Sequence, residues 1–151
     1  MYLVDFSENM IKLAKQKAKK KKIDAEFFVS DISKEKLPFE DNFFDFAIAN
    51  AVFHCIPKKS QKKAVKELFR VLKPNAEAEI AVWNKDVKRF KNSEKEKFIR
   101  WRDKGIRYYY LFESKEIYAL FEKAGFKIIS KEEPQRNITF VVKKPKTLNI
   151  N

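Results

Sequence analysis

Four polar residues stand where the chain's predicted strands end: Asp5, Asp31, Asn50 and Asn84. A carboxylate at a strand end can accept two hydrogen bonds from a ribose diol. A second one can accept from the exocyclic amine of an adenine while a neighbouring backbone N–H donates to the ring. The local alternative is that each Asp only caps the turn or helix that follows it, which is common for this residue type. His54 is the sole histidine and Cys55 the sole cysteine. With no second His or paired Cys they define no metal site, and none is expected. His54 fits a pocket wall or a helix end better than a catalytic base.

The elements that must position these residues follow from periodicity. "YLVD" reads as a buried strand, and Ser7 with Glu8 opens a helix carrying Met10, Ile11, Leu13, Ala14 and Ala18 on one stripe. The Lys19–Lys22 run suits a solvated helix end. "DAEFFVSD" is a second strand, "KLPFEDNFFD" a loop broken at Pro38, and "FAIAN" a third strand. "SQKKAVKELFRVL" is a helix with Ala64, Val65, Leu68, Phe69 and Leu72 inward, and "EAEIAVWN" a strand. Residues 85–106 are charged without clear period, giving a basic insert read as a long loop with a short helix near "SEKEKFIRW". Ser114 caps a last helix that ends at Gly125, with Phe126 as its hydrophobic contact. "FKIISKEE" and "NITFVVKK" are two strands joined around Pro134. The order β-α-β-loop-β-α-β-insert-α-β-β predicts one α/β domain over 1–151, with a mostly parallel sheet and an antiparallel last strand. In such sheets ligands bind beyond the carboxyl ends of the strands, where the four polar residues lie.

Composition limits the function classes. The chain has 151 residues, 44% of them hydrophobic, enough for one core. Apolar runs are far short of a membrane span and no signal peptide opens the chain, so a cytoplasmic protein is expected. A net charge of +13 favours a polyanionic partner, although a Lys-rich proteome would produce the same balance. Only two glycines occur, Gly105 and Gly125, and neither forms a phosphate-gripping loop.

"LVDFSENMIKLAKQKA", "FFVSDISKEKLPFEDNFFDFAIANAVFHCI" and "KELFRVLKPNAEAEIAVWN" together resemble a class I S-adenosylmethionine-dependent methyltransferase of the small type 11 kind, with its Rossmann-like sheet. "IRWRDKGIRYYYLFE", the helix after it and "RNITFVVKK" further resemble the tRNA enzymes that methylate the carboxymethyl group of wobble uridine. The resemblance implies that Asp5 holds the ribose hydroxyls of S-adenosylmethionine and that Phe6 packs on the adenine. It implies that Asp31 accepts from the adenine amine beside the Ile32 N–H, and that Asn50 and Ala51 line the methionine side. Arg107 is then the clamp for the acceptor carboxylate or RNA backbone, with Tyr108 beside it at the reaction. His54, Trp101, Tyr109, Arg136 and Asn137 face the RNA. The "KPNAEAE" segment replaces the family's Gly-Gly with Asn75-Ala76, and Asn tolerates the left-handed turn needed there. Tyr110 stands where the tRNA enzymes carry His.

The family also begins with a strand and Gly-rich loop ahead of the acidic strand, in a sheet ordered 3-2-1-4-5-7-6. Nothing of that kind precedes Tyr2, so the two strands flanking that central position are expected to show unpaired edges. A separate chain supplying that strand and loop is one expectation. The resemblance also implies a small zinc-binding activator protein pairing with the edge strand at residues 25–31. The acceptor is expected to be the tRNA anticodon loop. The generic motifs equally allow a small-molecule or lipid acceptor, and a third reading is a non-catalytic remnant that keeps its RNA-binding face.

Overall fold

The computed structural model describes residues 1–100 and 105–146. They divide into two compact units, Met1–Pro38 and Phe39 onwards, each with its own sheet.

In the first unit, β1 (Tyr2–Asp5) and β2 (Glu26–Val29) pair in parallel, joined by α1 (Glu8–Lys21). The helix starts as its sequence requires: the Ser7 hydroxyl accepts from the Met10 N–H, and Glu8 sits in the first turn. It stops at Lys22, whose φ of 56° is left-handed, while Ile23 N–H reaches back to the Ala18 carbonyl and Lys22 N–H to that of Lys19. A lysine fills the site that glycine usually takes in this closing turn, and Lys19–Lys21 lie at the negative end of the helix dipole. Of the predicted apolar stripe only Ile11 is buried, whereas Met10 and Leu13 are half exposed.

The second unit carries a four-stranded sheet ordered β3-β4-β8-β7, from β3 (Phe44–Asn50), β4 (Leu72–Trp83), β7 (Lys127–Lys131) and β8 (Asn137–Lys143). β3 and β4 are parallel, and β8 runs antiparallel to both neighbours. Helix α2 (Lys58–Val71) buries Ala64, Val65 and Leu68 and leaves its lysines outside. Alternation along β4 and β8 places Ala78, Ile80, Val82, Ile138, Phe140 and Val142 in the core. There Phe121 of α3 (Ser114–Glu122) meets the Phe53 and Phe140 rings edge-on at 5.1 and 5.3 Å. Asn75 has φ 67°, the left-handed turn expected of the residue that replaces glycine.

Two charged residues stitch loops to α2. Arg70 is held by Glu67 through two bonds of 2.6 and 2.9 Å, and donates at 2.8 Å to the Phe39 carbonyl and to Asp41. The Lys144 ammonium is buried, and its three donors meet the Phe69 and Leu72 carbonyls and Asn42 Oδ1, each at 2.8 Å. It thereby caps the carboxyl end of α2 with a cation.

The insert differs from expectation. Glu96–Arg100 is a strand, β5, paired antiparallel with β6 (Ile106–Tyr110), where the sequence suggested a short helix. Its residues alternate half-buried and exposed, a period of two that the flanking charges disguise. Ser114 is the first residue of α3 rather than its cap, and Glu113 at the cap makes no side-chain capping bond. No helix among the described residues is long and apolar enough to cross a membrane.

Candidate functional site

Asp5 ends β1, and its Oδ1 accepts the Ser7 N–H at 2.8 Å, turning the chain into α1. Oδ2 has no hydrogen-bond partner among the described residues, so one oxygen serves the turn and the other is available to a diol. Phe6 beside it is 68% exposed, an apolar ring with nothing to pack against in its own unit.

Asp31 follows β2 by two residues. Its Oδ1 accepts both the N–H and the hydroxyl of Ser33, at 2.9 and 2.6 Å, and Oδ2 pairs with the exposed Lys34 at 3.1 Å. Partial burial pushes this carboxyl upward, but the Ser33 bonds and the Lys34 charge outweigh it and hold Asp31 below the usual range. Glu35 accepts from the Asp31 N–H and the Ser30 hydroxyl, fixing the loop. The Ile32 N–H has no partner among the described residues, which leaves it free to donate to a ring nitrogen. The local capping roles are therefore real for both aspartates. They coexist with ligand capacity, because an exposed Lys–Asp pair contributes little and yields readily.

In the second unit, Asn50 is the last residue of β3, exposed, with its amide 3.4 Å from Glu79. Ala51 follows at φ 61°, a conformation that costs a residue with Cβ roughly 1 kcal/mol. Its N–H is tied to the Ala81 carbonyl at 3.0 Å, which holds the strained turn in place.

The acceptor-side candidates separate into inside and outside. His54 is 2% exposed, and its Nδ1 accepts the Trp83 N–H at 3.0 Å, so the ring proton sits on Nε2. Burial pushes its pKa down to about 4. Tyr109 is also buried, stacked at 4.4 Å on Trp83, which in turn stacks on His54 at 5.0 Å and Phe90 at 5.7 Å. Tyr109, read as one of the rings that could stack on splayed bases, is instead buried with His54 in an internal aromatic ladder. Arg107 is exposed on β6, opposite Ile99. Tyr108 is half-buried against Phe98, and its hydroxyl accepts the Lys58 N–H at 3.4 Å. Arg136 is exposed, its carbonyl bonded to the Asn84 N–H, and Asn137 begins β8 opposite Trp83. Trp101 lies outside the described residues.

Several organising residues were not foreseen. Glu67 and Arg70 lie in a motif visible in the sequence, but the loop they pin is some thirty positions away. Tyr110 donates at 2.5 Å to Glu116, which also takes Lys95 at 2.9 Å, locking β6 to α3. Burial, and then the Glu116 carboxylate, push the Tyr110 hydroxyl pKa up, so it acts as a fixed donor rather than a base.

The architecture and the polar strand ends define a Rossmann-like α/β protein of the class I methyltransferase fold. A family model described as a methyltransferase domain matches residues 1–79, and the chain belongs to that family. Over 73 residues it is 37% identical to a demethylmenaquinone methyltransferase of Lactiplantibacillus plantarum, and over 101 residues 35% identical to a 2-phytyl-1,4-naphtoquinone methyltransferase of Trichormus variabilis. These alignments cover 48% and 67% of this chain but only 30% and 42% of those proteins. The crystal structure of a SAM-dependent methyltransferase from Methanosarcina mazei superposes with TM-score 0.79 over 95% of this chain and 81% of that one, at 24% identity.

Proposed function

We propose that this chain carries the adenosine side and the acceptor side of an S-adenosylmethionine-dependent methyltransferase whose acceptor is an anion, the carboxymethyl group of wobble uridine in tRNA. The observation that supports the cofactor assignment is that Asp5 Oδ2 and the Ile32 N–H have no partner among the described residues, which leaves one able to accept from a diol and the other to donate to a ring nitrogen. Asp5 would hold the ribose hydroxyls, Phe6 the adenine face, and Asp31 the adenine amine. When bound, the cofactor supplies an electrophilic methyl group on a sulfonium.

A carboxylate acceptor is ionised at neutral pH and needs no base to attack. The oxygen–methyl bond forms as the sulfur–methyl bond breaks, and no proton moves. The protein's contribution is then alignment, which can supply several kcal/mol. Arg107, a planar fork exposed on β6, would orient the carboxylate bidentately. A neutral His54 and a Tyr110 locked to Glu116 accord with a reaction that asks for no proton transfer.

The cofactor site is completed, on this proposal, by a Gly-rich strand that the 151 residues do not contain, whether on the same chain or a separate one. Among the described residues β1 and β3 each pair on one side only, and Phe46 and Ile48 of β3 are 51% and 63% exposed. The outer edge of β2 remains for a zinc-binding activator protein.

The names of the two quinone methyltransferase relatives favour a second reading, in which the acceptor is a small aromatic molecule. Assaying the chain joined to the Gly-rich strand and loop, with carboxymethyluridine tRNA and with a demethylated quinone, separates the two. On the tRNA reading, Arg107→Ala lowers methylation at least ten-fold with S-adenosylhomocysteine affinity unchanged. Equal loss of both would remove Arg107 from the acceptor role.

A further inference from the structure

Beyond the end of β4, Trp83, Val87, Lys88, Arg89, Phe90 and Arg136 line a groove of about 350 Å³. One wall is apolar and aromatic. The other carries three cations, none of them ion-paired with a described carboxylate. Arg89 lies over the Phe90 ring at 5.2 Å, and Lys97 approaches the same ring at 5.8 Å.

A single buried side chain sets the groove's geometry. Asn84 is 4% exposed; its amide donates to the Gln135 carbonyl at 2.9 Å and its Oδ1 accepts the Asp86 N–H at 2.9 Å. Its own N–H reaches the Arg136 carbonyl at 3.2 Å. One asparagine thus ties the bend carrying Arg136, just ahead of β8, to the turn carrying Lys88 and Arg89. Bonds from Phe90 N–H to Val87 and from Ser93 N–H to Phe90 tighten that turn. Three cations lining one groove, on a frame pinned by Asn84, suit a multivalent anion.

We infer that this groove is a nucleotide site: Lys88, Arg89 and Arg136 take a phosphate, and Val87 with the edges of the Trp83 and Phe90 rings, whose faces are already stacked, takes the base attached to it. Its size suits one nucleotide. A phosphate dianion satisfies three cations better than a single carboxylate does, and the apolar wall gives a flat base a contact that a bare ion would waste. Asn84 is the positioning residue. The role of the groove in acceptor binding rests on the anionic-acceptor proposal above, but nucleotide binding itself does not.

The test uses Trp83 fluorescence in the Trp101→Phe chain without cofactor, titrated with UMP, uridine and inorganic phosphate. UMP should perturb Trp83 and bind about ten-fold or more tightly than either of the others. Arg136→Gln and Arg89→Gln should each weaken UMP at least five-fold, while Lys62→Gln on the far surface of α2 changes nothing. A hexauridylate arm then separates a site for free nucleotides, with equal affinity, from a site for an RNA strand, with tighter binding. Uridine or phosphate binding as well as UMP, or Arg136→Gln without effect, would overturn the assignment. Because no methylation is read, failure here leaves the methyltransferase proposal standing, and failure of that proposal leaves this result intact.

Discussion

His54 shows how a chemistry-bearing residue can be spent on structure. The lone histidine of a sequence invites a catalytic role, yet its Nδ1 is an acceptor for a strand N–H and its ring is one rung of an aromatic stack. The consequence is a pH dependence with a definite sign. The unfolded chain takes up a proton near 6.5, and the folded chain refuses it until about 4. The unfolded state therefore binds more protons in that window, and stability falls as pH drops from about 6.5 to about 4. The loss should reach roughly 3 kcal/mol from this residue. Urea unfolding at pH 7 and pH 4.5 checks it; a His54→Gln chain, which keeps an acceptor, should lose this part of the slope. The histidine's type was legible in the sequence, but its partner, Trp83, lies 29 positions away, and only the fold brings them together.

Among the elements, the closing turn of α3 was legible residue by residue. Phe126 N–H bonds the Phe121 carbonyl, Gly125 N–H bonds that of Glu122, and the two Phe rings meet at 5.6 Å, as a glycine-closed helix with a hydrophobic contact requires. Gly125 has φ 105°, and a Cβ there would come within 3.1 Å of the Phe69 ring. Gly125→Ala should therefore cost about 1–2 kcal/mol, lowering the thermal midpoint by several degrees. An unchanged midpoint would mean that the turn relaxes freely. The β5–β6 hairpin was not legible. Charges on both faces of Glu96–Arg100 hide its alternation, and Tyr108–Tyr109–Tyr110 shows none at all, so only cross-strand pairing reveals the strand period. Helix α2 was legible because its stripe is regular; the task of Arg70 was not, because it depends on a loop carbonyl remote in sequence.

At the scale of the whole molecule, the sequence order of strands and helices was enough for the fold class, and the two aspartates do stand at or just beyond the ends of β1 and β2. What the sequence left open is which of these residues local turns engage, and the structure shows such bonds for both, Asp5 with the Ser7 N–H and Asp31 with Ser33. Under the proposed function, a Gly-rich strand and loop complete the cofactor site. Isothermal titration with S-adenosylhomocysteine tests this most directly, comparing residues 1–151 alone with the same chain joined to a Gly-rich strand and loop. The account predicts no measurable binding by the chain alone and micromolar binding by the completed protein, weakened about ten-fold or more by Asp5→Asn. Micromolar binding by residues 1–151 alone, or an Asp5→Asn protein that binds unchanged, would contradict it.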